Sequence, residues 1–465
     1  FLRDIGIDVV HYIPHRNNEG FGLNGKGIED LAEQGVTLMI TADCGTTDSD
    51  QIAFAALKGI ETIVTDHHIV PDPIPTAPFA LINPHRPDSA YPFRELCGAG
   101  TAWKLVQGML QAHRPKSYEM GQEKWFLDLV GIATLSDMVP LVGENRMLAH
   151  FGLIVMRRAR RPGLAALLKL LKIKPSTLTE DDVGFMISPR INAASRMGNP
   201  HTAARLLAAG ENDDARSLAE ELQALNDERK GVVAATVKEA NKRLSEMRES
   251  PLIVLGSPSW RPGILGLVAS ALVETHGKPV FLWGREGGDT LKGSCRSDGA
   301  VNIVECMRGA ADVFADYGGH YGAGGFSLTE EHAHELHPKL EQAYETLRTN
   351  TPAEVEVVID ARVELAELAH ALQVVQKLAP FGVAHAKPLF VVSGVQVANI
   401  KTFGKTQNHL GLTLVKDTAR AEGVAFFSGV DSFQKKIEQG MQADFIGHIE
   451  LDWRGSPRLR VVDVL

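Results

Sequence analysis

Apolar and polar positions alternate in two different ways along the first 205 residues. Short runs rich in Val, Ile and Leu are typical of buried parallel strands, and the amphipathic stretches between them are typical of crossover helices. The fold class predicted for this region is therefore α/β, with a parallel sheet that carries helices on both faces. The predicted strands are Val9 to Ile13, Val36 to Ile40, Glu61 to Thr65 and Phe79 to Ile82, and the predicted helices include Asp50 to Lys58 and Thr101 to Gln111.

The pattern changes twice further along the chain. A stretch without proline from Asp213 to Glu249, with apolar residues at helical spacing, predicts a long helix that connects two lobes. A second, smaller α/β unit follows it, and beyond Thr351 short β-like segments separated by turns predict a small barrel or sandwich. The predicted domains are residues 1–205, a connecting helix at 206–250, the smaller α/β domain at 251–350 and the β domain at 351–465.

Three acidic or imidazole groups stand at the ends of apolar elements. Asp43 follows one predicted strand, Asp66-His67-His68 follows the next, and Asp137 lies where a predicted helix stops. Taken singly, the aspartates are more simply explained as helix or turn caps and the histidines as a buried core pair. Together they favour a site for a divalent cation such as Mn²⁺, Zn²⁺ or Fe²⁺, because the carboxyl ends of parallel strands meet where open α/β sheets bind ligands.

Short motifs surround these groups in a fixed order. They are Thr41-Ala-Asp43-Cys-Gly45, Thr65-Asp66-His67-His68, Cys97-Gly98-Ala99-Gly100, Leu135-Ser-Asp137-Met-Val-Pro-Leu141 and Ser188-Pro-Arg190-Ile-Asn192-Ala-Ala-Ser-Arg196, followed by the glycine-rich Tyr317-Gly-Gly-His320-Tyr-Gly-Ala-Gly-Gly325. In this order they resemble the DHH phosphoesterases, and within that superfamily the RecJ-like single-strand-specific exonucleases. The resemblance covers nearly the whole chain.

The resemblance implies an N-terminal DHH phosphoesterase domain, a DHH-associated domain and a C-terminal OB-like barrel that binds nucleic acid. It also implies a metal-dependent 5′-to-3′ exonuclease that hydrolyses phosphodiester bonds of single-stranded DNA in DNA repair and recombination. RecJ-like proteins carry an Asp-x-Asp-x-Gly motif after their first strand, and residues 1–465 contain none. We therefore expect the segment with this motif to precede Phe1, which leaves the DHH domain N-terminally incomplete.

Roles for individual residues also follow from the resemblance. The expected catalytic residues are Asp43, His67, His68 and Asp137, and Asp43, His67 and Asp137 are the expected metal ligands. We expect Mn²⁺, with Mg²⁺ as a substitute and two ions in the complete protein, because a two-metal site both activates water and clamps the attacked phosphate.

Substrate binding is expected to involve a second set of residues. This set comprises Arg16, Arg190, Asn192, Arg196, Ser294, Arg296, Gly319 and His320. Arg196, Ser294 and Arg296 suit a terminal phosphate, because guanidinium forks and hydroxyl groups are good partners for its oxygens. Gly319 and His320 are expected in a glycine-rich turn whose backbone N–H groups approach a phosphate. Trp260 and Phe403 are candidate rings for stacking with bases.

Composition and charge limit the possible functions. The chain has 465 residues, 44% hydrophobic and 23% charged, and lacks an apolar run of the roughly 18 residues that a bilayer requires, so we expect a cytoplasmic protein without membrane contact. Its four cysteines show no metal-binding spacing. The net charge of −9 is unusual for a DNA-binding protein, but residues 155–205 contain ten basic and three acidic side chains. Arg157 to Arg161 are candidates for DNA contact or for a solvated surface.

Two other functions remain open at this point. One is a phosphodiesterase for short oligonucleotides or cyclic dinucleotides, and the additional β-rich region argues against it. The other is an inactive replication scaffold with a DHH fold. The presence of the intact ligands argues against it, namely Asp43, His67, His68 and Asp137. Single-stranded DNA with a 5′ end is the expected partner, a single-strand binding protein or a helicase is a candidate protein partner, and a monomer is expected.

Overall fold

The structure is a computed structural model, and it describes residues 1–15, 19, 22–210, 213–285, 290–348, 358–404, 407–452 and 454–465. The chain forms two compact units. The first comprises Phe1–Asp137 and Phe151–Glu354, and the second comprises Met138–His150 and Val355–Leu465.

The N-terminal part of the first unit contains a parallel sheet of strands in sequence order. Its elements are α1 (Gly25–Glu33), β1 (Leu38–Ala42), α2 (Ser49–Leu57), β2 (Glu61–Thr65) and β3 (Ala80–Ile82). The register places Ala42 beside Thr65, and Thr65 beside Ile82, so the three strands end together at one edge. The parallel sheet is confirmed, but the strand predicted at Val9 to Ile13 is wrong. That segment has no regular structure and pairs with no described strand, and Val10 is exposed rather than buried.

A helical region follows the sheet. Its helices are α3 (Gly98–Ala112), α4 (Leu127–Ser136), α5 (Gly143–Met156), α6 (Pro162–Leu170), α7 (Ser188–Arg196), α8 (Pro200–Ala208) and α9 (Ala215–Leu244). The 30-residue helix α9 is the predicted connecting helix. It begins at Asp214, whose side chain accepts a hydrogen bond from the backbone N–H of Ser217, which satisfies one unpaired donor of the first turn. Leu218 and Leu222 of its first half pack in the core of the helical region.

The second half of α9 packs against the smaller α/β part of the first unit. This part contains β4 (Ile253–Ser257), α10 (Pro262–His276), β5 (Val280–Gly284), β6 (Leu291–Arg296), α11 (Ile303–Gly309), β7 (Asp316–His320), β8 (Ala323–Leu328) and α12 (Leu336–Leu347). Its sheet has the order β4-β5-β6-β8-β7, in which only β4 and β5 are parallel. Ala240 of α9 lies in the same apolar cluster as Ile264 and Val268 of α10.

The glycine-rich segment is a β-hairpin, so its prediction as a turn is wrong. Gly318 pairs with Gly325 and Gly319 with Gly324 across β7 and β8. A Cβ atom at Gly324 would lie 2.7 Å from Met307 Cε and 2.9 Å from the carbonyl oxygen of Gly318. The glycines thus allow these two strands to lie close to each other and to the core. This close approach depends on tertiary contacts, so it could not be predicted from the sequence pattern alone.

The C-terminal part of the second unit is a β-barrel with one helix. Its elements are β9 (Ala361–Arg362), α13 (Leu368–Leu378), β10 (Phe390–Phe403), β11 (His409–Lys416), β12 (Ala419–Ala425), β13 (Gln442–Leu451) and β14 (Pro457–Val464). The sheet runs β11-β12-β14-β13-β10-β9, and pairing of β11 with β10 closes the barrel of β10 to β14. This arrangement confirms the predicted OB-like barrel. Among the described residues, no helix combines the length and the apolar character that a membrane crossing requires.

Candidate metal centre and phosphate-binding residues

The carboxyl ends of β1 and β2 bring the first candidate ligands together. Asp43 follows β1, and its backbone N–H donates to the carbonyl of Thr65 at 2.9 Å, which fixes it beside the end of β2. His67 follows two residues after β2, and its Nε2 lies 3.1 Å from Oδ1 of Asp43. The convergence expected from parallel strands is therefore present in this pair.

Asp43 is held in an unusual conformation beside a helix N-terminus. Its φ of 67° lies in the left-handed region, which non-glycine residues adopt rarely outside turns and functional sites. Gly98, the first residue of α3, lies so close that a Cβ atom there would be 2.2 Å from Oδ1 of Asp43. The positive end of the α3 dipole therefore faces this carboxylate, and only glycine leaves room for it.

Asp137 reaches the same imidazole from a helix C-terminus. It caps α4, and its Oδ2 lies 3.5 Å from Nε2 of His67. Burial, followed by the charge of Asp43, raises the pKa of Asp137, and the negative end of the helix dipole is also unfavourable for a carboxylate. For His67, burial favours a lower pKa, but the hydrogen bond with Asp43 and the charges of Asp137 and Asp43 raise the pKa overall.

Asp66 holds the loop after β2 in place, although its side chain is not exposed to the site. This role was not predicted from the sequence. Its side chain is 1% exposed and accepts hydrogen bonds from the backbone N–H groups of Thr46 and His67 at 3.0 and 2.8 Å. It also lies 2.7 Å from Nδ1 of His68. Burial opposes its charge, but the hydrogen bonds from His68 and Thr46 hold the pKa of Asp66 well below its usual range. Asp66 thus orients His68 and leaves the Nε2 atom of that ring for other partners.

The donor set fits a divalent cation. Within the described residues, ligand atoms of Asp43, His67 and His68 lie within 4.8 Å of one another. Asp137 joins them through its contact with His67. Two carboxylates that converge on one imidazole at a helix C-terminus carry more negative charge than the imidazole can balance, and a cation would balance it. Mixed oxygen and nitrogen donors suit Mn²⁺. The predicted ligands Asp43, His67 and Asp137 are thus brought together, with His68 beside them.

Residues of the smaller α/β part lie near this centre and form a second cluster. Burial raises the pKa of Asp137, and His320, at the end of β7, lies close enough to that carboxyl to oppose the rise slightly. Ser294 and Arg296 lie on β6, where the Arg296 guanidinium donates to Ser294 Oγ at 3.3 Å. Arg196 ends α7, where its Nη1 donates to the carbonyl of Gly263 at 2.9 Å. Burial, and then the charges of Arg229 and Arg296, lower the pKa of Arg196.

Other predicted substrate-binding residues lie differently. Arg190 is 7% exposed and donates to Gln223 Oε1 and to the carbonyl of Met186, so its fork is used within the protein. Asn192 is exposed on the same helix, α7. Gly319 lies on β7, where its φ of 151° and the backbone of Ala323 exclude a side chain. Arg16 lies outside the described residues.

Two arginines of the basic region 155–205 bind other parts of the protein. Arg161 forms an ion pair with the buried Asp128 at 2.8 Å, and Arg157 donates twice to the carbonyl of Leu178. The prediction of Trp260 as a stacking ring is wrong, because it is 3% exposed and donates to Glu239. Some of the basic side chains and rings that the sequence offers for DNA contact instead bind other parts of the protein, because tertiary packing determines their exposure.

Family models match all three parts of the chain. The DHH family N-terminal domain matches residues 1–134, the DHHA1 domain matches 249–346 and the RecJ OB domain matches 359–463. Among solved structures, the crystal structure of RecJ in complex with Mn²⁺ from Thermus thermophilus has a TM-score of 0.80 at 26% identity and covers 100% of this chain and 65% of that chain. The crystal structure of exonuclease RecJ bound to manganese has a TM-score of 0.61 at 32% identity, over 77% of this chain and 86% of that chain.

Curated relatives agree with these matches. The single-stranded-DNA-specific exonuclease RecJ of Bacillus subtilis is 31% identical, and the match covers 99% of this chain and 58% of the relative. The chain thus spans less than two thirds of the length of that protein. The protein of the same name from Haemophilus influenzae is 31% identical, and the match covers 89% of this chain and 74% of the relative. The one from Salmonella typhimurium is 32% identical, and the match covers 84% of this chain and 70% of the relative. These matches show that the chain belongs to the RecJ family of the DHH superfamily.

Proposed function

We propose that the protein hydrolyses phosphodiester bonds of single-stranded DNA from the 5′ end, in DNA repair and recombination, with Mn²⁺ as its preferred metal and Mg²⁺ as a substitute. The observation that carries this proposal is the convergence of Asp43 and Asp137 on Nε2 of His67, at 3.1 and 3.5 Å. This convergence lies at the sheet edge where α/β proteins bind ligands. The names and the metal-bound structures of the relatives support the same activity.

Each residue of the centre has a distinct task in this proposal. Asp43, His67 and Asp137 hold the divalent cation, and Asp66 keeps His68 oriented so that its Nε2 atom contacts a ligand or a phosphate oxygen. When bound, the cations supply a deprotonated water as the nucleophile and neutralise the charge on the phosphoryl oxygens. His320 lies near Asp137 and donates a hydrogen bond to the phosphate that is cut.

Attack from one end requires a site that recognises that end. Arg196, Ser294 and Arg296 suit a terminal phosphate, since a phosphate monoester carries about two negative charges and forms bidentate bonds with guanidinium groups. We assign the 5′ phosphate to this cluster, and the exposed Asn192 to the sugar-phosphate backbone near it. The function of Arg190 in this account is to support α7 from within.

Selectivity for single strands is assigned in part to the barrel of the second unit. At one end of β11 and β12, the rings of Phe403, His409, Phe426 and Phe427 form an aromatic cluster with centroid separations of 4.7 to 6.3 Å. Phe427 is 80% exposed in a left-handed conformation with φ of 55°, and its N–H donates to Nδ1 of His409. Holding a bulky ring outward in this conformation costs free energy, which a role in stacking with unpaired bases explains.

The finer assignments follow from this activity. We propose that the protein acts as a monomer in the cytoplasm. A helicase or a single-strand binding protein is the proposed source of these strands.

A nuclease assay tests the proposal. Single-stranded oligonucleotides carrying a fluorophore at the 3′ end are digested with Mn²⁺, and products are resolved by length. We expect labelled products that shorten stepwise from the 5′ end, with little cutting of the duplex. The Asp137→Asn variant should lose this activity, whereas Asp50→Asn, an exposed position on α2, should retain it. Immediate release of the 3′ label, or equal cutting by Asp137→Asn, would contradict the proposal.

A further inference from the structure

The ring of Phe427 is held outward by an unusual backbone conformation. Phe427 lies in the turn after β12, is 80% exposed and has a φ of 55°. For a bulky side chain this left-handed conformation is strained, and it persists only where the surrounding structure imposes it. An exposed phenyl ring would also gain free energy by folding back onto apolar surface. A contact within the barrel must therefore keep this ring in place.

His409 supplies that contact through one ring nitrogen. The ladder between β11 and β12 ends at the pair of Leu410 and Ala425, so the pairing of these strands does not use the backbone N–H of Phe427. This N–H instead donates to Nδ1 of His409 at 3.0 Å. Because an amide N–H can only donate, Nδ1 is the acceptor and the neutral ring carries its proton on Nε2. A single side-chain acceptor thus holds the residue with the strained backbone.

The same imidazole is the common neighbour of three phenyl rings. Its centroid lies 5.2 Å from that of Phe403, 5.5 Å from that of Phe426 and 4.7 Å from that of Phe427, and the last two contacts are edge-to-face. Edge-to-face contacts are favourable for aromatic pairs. A Cβ atom at Gly404 would lie 2.7 Å from Cδ2 of His409, so the ring also packs against the backbone after β10. These contacts hold His409 in one orientation.

The two most exposed rings of the aromatic cluster differ in their availability. Phe426 is 41% exposed, and the guanidinium carbon of Arg458 lies over its ring, 5.7 Å from the centroid. Two hydrogen bonds to Oε1 of Glu450, at 2.8 and 2.6 Å, fix this guanidinium group. One face of Phe426 is therefore covered, whereas the ring of Phe427 extends into solvent. Phe427 is thus the ring of this cluster that is best placed to stack on a base.

We propose that His409 is a positioning residue, which keeps the ring of Phe427 outward and ready to stack on an unpaired base of a single strand. This inference rests on the proposed function and adds to it a residue that acts through another. The hydrogen bond to Nδ1 offsets the strain at Phe427 when the protein folds, so the binding of DNA does not have to order the ring. Without this acceptor, the strained conformation loses its hydrogen bond and the ring is free to fold back onto the barrel.

Binding without cleavage tests this role. Fluorescence anisotropy in EDTA measures the affinity of the protein for oligo-dT and for an abasic strand of equal length, since only the first offers bases for stacking. We expect the parent to prefer oligo-dT. The variant His409→Phe keeps a ring but has no acceptor, so it should lose about 2-fold to 10-fold of that preference. Its affinity for the abasic strand should equal that of the parent, and differential scanning fluorimetry checks that it is folded.

A double-mutant cycle with Phe427→Ala separates positioning from direct contact. If His409 acts through Phe427, the change His409→Phe should cause no further loss of the preference in the Phe427→Ala protein. Losses that multiply would show that the two residues act independently and would overturn the inference, as would an unchanged preference in His409→Phe alone. If His409→Phe does not fold, His409→Leu, which also lacks an acceptor, takes its place in the cycle.

His370→Phe is the matched control, because it makes the same change at an exposed position of α13 in the same unit. It should leave both affinities unchanged. A parent that binds both strands equally would overturn the inference and the assignment of base stacking to the barrel. Stepwise 5′-to-3′ digestion by that parent in the nuclease assay would still leave the proposed activity intact.

Discussion

The Nδ1 atom of His68 lies 2.7 Å from Oδ1 of the buried Asp66, and this pair sets the direction of the second histidine of the motif. The same carboxylate accepts bonds from the backbone of Thr46 and His67, so it ties the loop after β1 to the loop after β2. Asp66 therefore helps to set the relative positions of Asp43 and His67, although its own side chain is buried.

Replacement of Asp66 by Asn should damage both stability and activity. The neutral amide is a weaker acceptor for the backbone N–H groups of Thr46, His67 and His68 and cannot orient His68 with a charge, so we expect a loss of about 2 kcal/mol in the free energy of unfolding. Activity should fall about 10-fold to 100-fold, as for other residues that orient metal ligands. Urea unfolding and the Mn²⁺-dependent nuclease rate measure the two effects. Asp50→Asn is the control, and a parent-like rate for Asp66→Asn would contradict this role.

Replacement of Gly98 by Ala should disrupt the centre with little effect on the fold. The new Cβ would lie 2.2 Å from Oδ1 of Asp43, so this carboxylate must move away from His67. We expect weaker Mn²⁺ binding by isothermal titration calorimetry and a lower nuclease rate. Gly108→Ala on the same helix is the matched control, since a Cβ there meets nothing within 4 Å. That variant should be as active as the parent and slightly more stable. Equal Mn²⁺ affinity in both variants would argue against the proximity of Gly98 and Asp43.

Replacement of Phe427 by Ala should weaken the binding of single strands. Stacking on one exposed ring contributes about 1 to 3 kcal/mol, so the affinity for a single-stranded oligonucleotide should fall about tenfold, with a similar thermal unfolding midpoint. Anisotropy measures the affinity, and differential scanning fluorimetry measures the midpoint. Phe79→Ala is the control, because that ring is 72% exposed but lies at the amino end of β3. A loss of affinity in Phe79→Ala alone would assign the stacking surface elsewhere.

The pair of Arg161 and Asp128 should matter for stability rather than for DNA binding. Asp128→Ala leaves a partly buried guanidinium without its carboxylate, so we expect a loss of about 3 kcal/mol in the free energy of unfolding. Chemical denaturation measures this loss. Arg158→Gln, an exposed change in the same segment, should cost less than about 0.5 kcal/mol. A stable Asp128→Ala protein with weakened DNA affinity would reverse the assignment.

The sequence predicted best what hydrophobic periodicity determines. The run from Glu61 to Thr65 is β2, and the proline-free stretch around α9 is a single helix. Val9 to Ile13 shows the limit of this signal, because an apolar run becomes a strand only when a neighbouring strand is present to pair with it.

The candidate site was only partly predictable, for a related reason. Asp43, His67 and Asp137 are predictable as ligands from their motifs and from the strand and helix ends at which they lie, which are local features of the chain. The roles of Asp66 and Gly98 depend on contacts with Thr46 and Asp43, residues that are distant in sequence.

The proposed activity requires a cation held jointly by groups from separate elements of the first unit. Crystals of the protein soaked in Mn²⁺, with anomalous diffraction recorded at the manganese edge, test this most directly. We expect an anomalous peak coordinated by Asp43, His67 and Asp137, and its loss in His67→Ala. Manganese bound only elsewhere, or a peak at the same place in His67→Ala with unchanged height, would contradict the account.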